Sequence, residues 1–181
     1  MRWANPDQII IENLPAFLKS TDRWNWLSLY FSCASVSREP LFAARFAHGR
    51  REAGIENHWD IIEGQGALLH PAYSGVSLAL LHGSQPDVIV VCHEPGRKCL
   101  VGHSDYDVPG VEEITDLTLR LGRRTNPAAR CAGVSLNTSQ MDAQTAERLL
   151  QNEGERLKLP VADPMRGGAM FERLVEACIA S

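Results

Sequence analysis

The chain has 181 residues, 44% of them hydrophobic, with five cysteines and a formal charge of -4 at pH 7. That length and apolar content suit one ordinary hydrophobic core, and the acidic balance excludes the basic footprint of a nucleic-acid or anionic-membrane partner. No apolar run approaches the roughly 20 residues that span a bilayer, and the opening MRWANPDQIII lacks the order of a signal peptide, so a cytoplasmic protein acting on a small molecule is expected.

Residues 1 to 57 read as an irregular leader holding Trp3, Trp24, Trp26, Pro6, Pro15 and Pro40. Within it, Ile9 to Leu18 fits a short strand or a helix broken by Pro15, Trp24 to Ser35 is apolar, and Leu41 to Arg51 fits a basic helix. From residue 58 to 181 the chain alternates strand and helix. Trp59 to Ile62 is too short for a helix and stops at Glu63-Gly64-Gln65-Gly66, which predicts a buried strand. Ser74 to Leu81 fits a crossover helix with Ser74 as N-cap and Gly83 near its end. Asp87 to Cys92 is apolar without alternation, as in a parallel strand covered on both faces.

Val111 to Leu121 sets Ile114, Leu117 and Leu121 on one face, with acids early and arginines late, which predicts a helix. Cys131 to Leu136 fits a third strand, Asp142 caps a further helix, Leu159 to Ala162 fits a short strand, and Phe171 to Ile179 closes as a helix. The order βαβαβαβα with right-handed crossovers predicts an α/β fold: a mostly parallel sheet with helices on both faces.

Ligands of such sheets bind beyond the carboxyl ends of the strands. There Glu63 is a candidate Mg²⁺ ligand, beside a nucleotide phosphate that Gly64, Gln65 and Gly66 approach by backbone; the alternative is a plain glycine turn. His82 and His93 are candidate general bases, against histidines that only cap turns. Tyr73 and Ser74 offer hydroxyls and helix-terminal amides to an anion, Asn137 can read an amide or base, and Arg166, after Asp163, can grip an anionic group. His70, His82, His93 and His103 with Cys92 and Cys99 lack the close spacing of a zinc site. Cys92, Cys131 and Cys178 lie in apolar runs and suit reduced core thiols.

The run WDIIEGQGALLHPAYSGVSLALLHGSQPD, followed by VCHEPGR, GVSLNTS and LPVADPMRGG, resembles the carboxy-terminal P-loop domain of the DUF1611 family, which includes D-glutamate N-acetyltransferases; the likeness covers residues 58 to 181. The resemblance implies a P-loop NTPase-like fold in which Glu63, Gly64, Gln65 and Gly66 match the second nucleotide-site motif. It also implies acetyl transfer from acetyl-CoA to D-glutamate; on the residues' own chemistry, His70, Tyr73, Ser74, Asn137, Asp163 and Arg166 are the substrate-binding candidates. Family members begin this domain with Gly-x-x-x-x-Gly-Lys-[Ser/Thr] and carry a further amino-terminal domain, and this sequence contains no Gly-Lys pair. A truncated chain is therefore expected, with the P-loop segment replaced by the leader. Two alternatives stay open: an ATP-dependent ligase or other NTPase of the same fold, and a non-catalytic fragment that binds or forms a homo-oligomer.

Overall fold

The computed structural model describes residues 8–11, 60–63, 68–100 and 103–180. Three strands come first along the chain, β1 (Gln8–Ile11), β2 (Asp60–Glu63) and β3 (Val88–His93), followed by a hairpin of β4 (Cys99–Leu100) and β5 (His103–Asp107), then β6 (Arg130–Leu136) and β7 (Val161–Ala162). Four helices connect and close them: α1 (Ser74–Ser84), α2 (Val111–Gly122), α3 (Ala143–Leu157) and α4 (Gly168–Ile179). The sheet has the order β2-β1-β3-β6-β7, and every pair in it is parallel. The fold is therefore the α/β arrangement expected, with all four anticipated runs in one sheet.

β1 adds a strand from within the stretch read as an irregular leader. It lies between β2 and β3, and Ile9, Ile10 and Ile11 pair with both neighbours. Three β-branched residues in a row suit a strand covered on both faces, but four residues are too few for a period to register. The readings of Trp24 to Ser35 and Leu41 to Arg51 lie outside the described residues.

Alternation along β3 divides the core. Ile89 and Val91 join Leu81 of α1, Val111 and Ile114 of α2, Leu150 of α3, and Val134, Leu136 and Val161 on one face. Val88 and Val90 join Ala132, Ala162, Leu174 and Cys178 against α4 on the other. Because both faces of β3 are buried, its sequence carries no polar alternation, and burying each such side chain contributes about 1.5–3 kcal/mol.

The approach of α4 depends on one glycine. A Cβ at Gly133 would lie 2.4 Å from the carbonyl oxygen of Pro160 and 2.5 Å from Leu174 Cδ1, so only glycine lets β6, the entry to β7 and α4 meet. The register shifts beside it: Ile89 pairs with Cys131 and Val90 with Gly133, leaving Ala132 as the extra residue of a bulge.

The helix ends differ from their sequence reading at two places. Ser74 is the first helical residue of α1 and not its cap; Tyr73 is the N-cap, makes no side-chain cap bond, and the Ser74 N–H donates to His70 O at 3.0 Å. The helix also runs through Gly83 and ends on Gln85 at φ 52, whose N–H donates to Leu81 O. This left-handed non-glycine cap is held from outside: Asn126 Nδ2 donates to the carbonyls of Gln85 (3.2 Å) and Pro86 (3.0 Å) and to Asp87 Oδ1 (2.9 Å). At α3 the Asp142 cap is as expected: its carboxylate accepts both the N–H (2.9 Å) and the hydroxyl (2.7 Å) of Thr145.

Candidate functional site

Taken alone, the five parallel strands stand in the order second, first, third, fourth, fifth. A doubly wound sheet of this order opens its ligand crevice at the carboxyl ends of the first and third strands, where successive connections leave to opposite sides. Here that is the gap between β1 and β3. The register fixes what stands around it. His93 is level with Leu136, and Ser135 with Ala162, so Asp163 follows at the level of His93. Glu63 is level with Ile11, and Ile11 with Val90. The Glu63 backbone is thus two strands across from β3 and three residues below His93, roughly 10 Å in each direction. A ligand spans such a gap; a hydrogen bond does not. The side chain of Glu63 and all of Gly64, Gln65 and Gly66 lie outside the described residues.

His93 ends β3 half-buried, and burial lowers its pKa below the usual imidazole value, with Glu94 opposing and Arg97 assisting that shift. The loop it opens is a tight turn: Arg97 N–H donates to Glu94 O at 3.3 Å, Pro95 takes the first corner and Gly96 the second at φ +84. The turn also pairs the Arg97 guanidinium with the Glu94 carboxylate. A neutral imidazole at neutral pH, at the rim of a crevice, is chemically equipped to take a proton.

Across β6 the polar residues are committed to one another. Asp163 is 3% exposed and Thr138 fully buried. Asp163 Oδ2 accepts the Thr138 N–H (2.9 Å) and the Thr138 hydroxyl, while Oδ1 accepts the Met165 N–H at 2.9 Å. Arg166 Nε donates to Thr138 Oγ1 at 2.7 Å, and its Nη2 donates to the carbonyls of Thr138 (2.9 Å) and Met141 (2.7 Å). This network locks the ends of β6 and β7 together. Asn137 Oδ1 accepts the Ser139 N–H at 3.1 Å, and its own N–H donates to His93 O at 2.9 Å, so it makes a turn and fastens β6 to β3.

The structure does not bring His82 to His93. α1 runs back from the carboxyl edge, so His82 in its last turn lies at the amino-terminal edge of the sheet, where Nε2–H donates to Leu121 O at 3.1 Å and joins α1 to α2. His70 stays on the carboxyl side, in the turn before α1. It is 8% exposed, its Nδ1 accepts the Ala72 N–H at 3.1 Å, and its ring meets Tyr73 at 4.8 Å and His103 at 5.0 Å. His103 and Tyr106, from the β4–β5 hairpin, were not among the expected site residues, and Thr138 was expected only as part of the Asn137-Thr138-Ser139 strand end. The polar HSDYD segment shows little strand signal, and Thr138 reads as one more loop hydroxyl. Among the described residues, no three His, Cys, Asp or Glu side chains are placed to hold a metal ion. The described cysteines are free thiols; burial raises the pKa of Cys131 and pushes Cys178 up to about 11. No helix among the described residues is long and apolar enough to cross a membrane.

A parallel sheet with helices on both faces and polar residues at its carboxyl edge defines an α/β domain. The family described as DUF1611, a domain of unknown function with a carboxy-terminal P-loop domain, matches residues 46–175, beginning before His58. The chain belongs to that family. It is 46% identical over 125 residues to a D-glutamate N-acetyltransferase of Tritonibacter scottomollicae, a match covering 69% of this chain and 37% of the relative. A D-glutamate N-acetyltransferase of a Pseudoalteromonas species is 42% identical over 113 residues, covering 62% and 34%. The matches thus span little more than a third of those relatives. A crystal structure of a DUF1611 family protein from Anabaena variabilis shares the fold at a TM-score of 0.70 and 24% identity, covering 96% of this chain and 48% of that one.

Proposed function

We propose that this chain serves acetyl transfer from acetyl-CoA to the amine of D-glutamate, with His93 as general base. The observation that carries the reading is the 46% identity over 125 residues with a relative of that name. The lowered pKa of His93 supports it. An α-ammonium group is not a nucleophile until a proton leaves it, and a neutral imidazole accepts that proton near neutral pH. The freed amine attacks the thioester carbonyl, its nitrogen releases a second proton to solvent, the tetrahedral adduct collapses with loss of the CoA thiolate, and the proton held by His93 passes to the sulfur. The product is N-acetyl-D-glutamate and free CoA, with no oxidant or hydrolysis required.

A second reading, ATP-dependent turnover, is favoured by the family's description as a P-loop domain. One assay separates the two. The purified chain is incubated with acetyl-CoA with and without D-glutamate, and then with ATP, while free thiol and phosphate are followed. Thiol release that requires D-glutamate is the expected outcome. Phosphate release from ATP selects the second reading, and neither signal leaves the chain as a non-catalytic binding fragment.

A further inference from the structure

The turn before α1 and the β4–β5 hairpin both leave the carboxyl edge of the sheet, after β2 and β3 respectively, and they meet through four rings. His70 lies 4.8 Å from Tyr73 and 5.0 Å edge-on from His103, and His103 lies 5.9 Å edge-on from Tyr106. The two inner rings are the less exposed: His70 is buried and fixed by the Ala72 N–H on Nδ1, and His103 is half-buried. The two outer rings are not: Tyr73 is 49% exposed and Tyr106 51% exposed. Two exposed tyrosines held in place by histidines present flat, rigid surface whose ordering has already been met within the fold. Asp105 and Asp107, the exposed neighbours of Tyr106 along β5, put negative charge on the hairpin and disfavour a phosphate close to it. Arg97 and Lys98 stand exposed at the foot of the hairpin, where Val108 N–H donates to Lys98 O at 2.8 Å.

We infer that Tyr73 and Tyr106, braced by His70 and His103, form a stacking platform for the purine base of a nucleotide-bearing substrate, with its phosphates directed away from the hairpin acids. This rests on the acetyl-transfer reading for its choice of substrate: the base is the adenine of coenzyme A. ATP offers the same base, so the source is decided by experiment. Base-on-aromatic stacking tolerates variation in the base and depends on the ring face, not on the tyrosine hydroxyl.

The test measures calorimetric binding of adenosine 3′,5′-bisphosphate, ATP and pantetheine to the full chain and to Tyr106→Ala, Tyr73→Ala and Tyr106→Phe. Both alanine variants are expected to weaken adenosine bisphosphate roughly ten-fold or more, and Tyr106→Phe to keep near-native affinity. Pantetheine, which has no base, is expected to bind all four proteins alike. Tighter binding of the bisphosphate than of ATP identifies the CoA source; the reverse order overturns that source. Absence of bisphosphate and ATP binding to the unmodified chain, or unchanged affinity in both alanine variants, overturns the platform. If the platform behaves as expected while D-glutamate-dependent thiol release is absent, it is the acetyl-transfer reading that fails. If thiol release occurs with an unchanged KM for acetyl-CoA in both alanine variants, it is the platform that fails.

Discussion

The two edges of the sheet use polar side chains differently. At the amino-terminal edge they bind mainly backbone: Asn126 holds the carbonyls of Gln85 and Pro86, Arg123 Nε donates to Ala129 O at 3.0 Å, and His82 donates to Leu121 O. At the carboxyl edge the half over β6 and β7 behaves the same way, with Thr138, Asp163 and Arg166 spent on one another. The end of β3 is different. Among the described residues no hydrogen bond reaches the His93 ring, and burial keeps it neutral. A polar residue that satisfies nearby backbone is scaffold; one placed at a strand end without that task is available for chemistry.

Three substitutions press on this contrast. The largest effect is expected from His93→Ala, which should lower D-glutamate-dependent thiol release by roughly 10²–10⁴-fold. Its pH dependence has a definite sign. A folded pKa below the unfolded 6.5 favours the neutral form, so this contribution to stability is complete above 6.5 and is lost as pH falls through the lower folded value. Activity should follow the same protonation, with its acid limb below pH 6.5 and absent from the alanine variant. Next is Asp163→Ala, which strands the Thr138 and Met165 amides and removes the carboxylate beside Arg166. It should cost about 3 kcal/mol in urea unfolding. A loss of activity without that destabilisation would move Asp163 from scaffold to chemistry and blur the contrast. The smallest is Asn126→Ala at the opposite edge, expected to cost about 1 kcal/mol by the same measurement with KM unchanged.

Much of the scaffold is legible in the residues themselves. Unbroken apolar runs mark β3 and β6, and the spacing of Ile114, Leu117 and Leu121 marks α2, because burial imposes those patterns directly. Direction is harder. His82 looks close to β3 along the chain, yet a crossover helix returns to the opposite edge before the next strand begins, so closeness in sequence there means distance from the site. Asp163 and Arg166 are legible as a polar strand end, but their commitment to Thr138 depends on β6 and β7 lying side by side, which no local pattern encodes. The hairpin escaped for a simpler reason: β4 has two residues, and β5 is exposed along most of its length.

Arg130 opens β6, yet its guanidinium donates to carbonyls at the far end of α4: Ala177 at 2.7 Å, Cys178 at 3.0 Å, and Ala180. A cation there complements the negative end of the helix dipole. The contact also closes a loop of 50 residues, whose chain entropy must be overcome before any bond in it forms. α4 also packs over Val88, Val90, Ala132 and Ala162, so Arg130 fastens the tail of the last helix to the sheet that its apolar face already covers. Loss of those Arg130 contacts would free the last turn of α4 before the part of the helix held by Leu174 and Cys178.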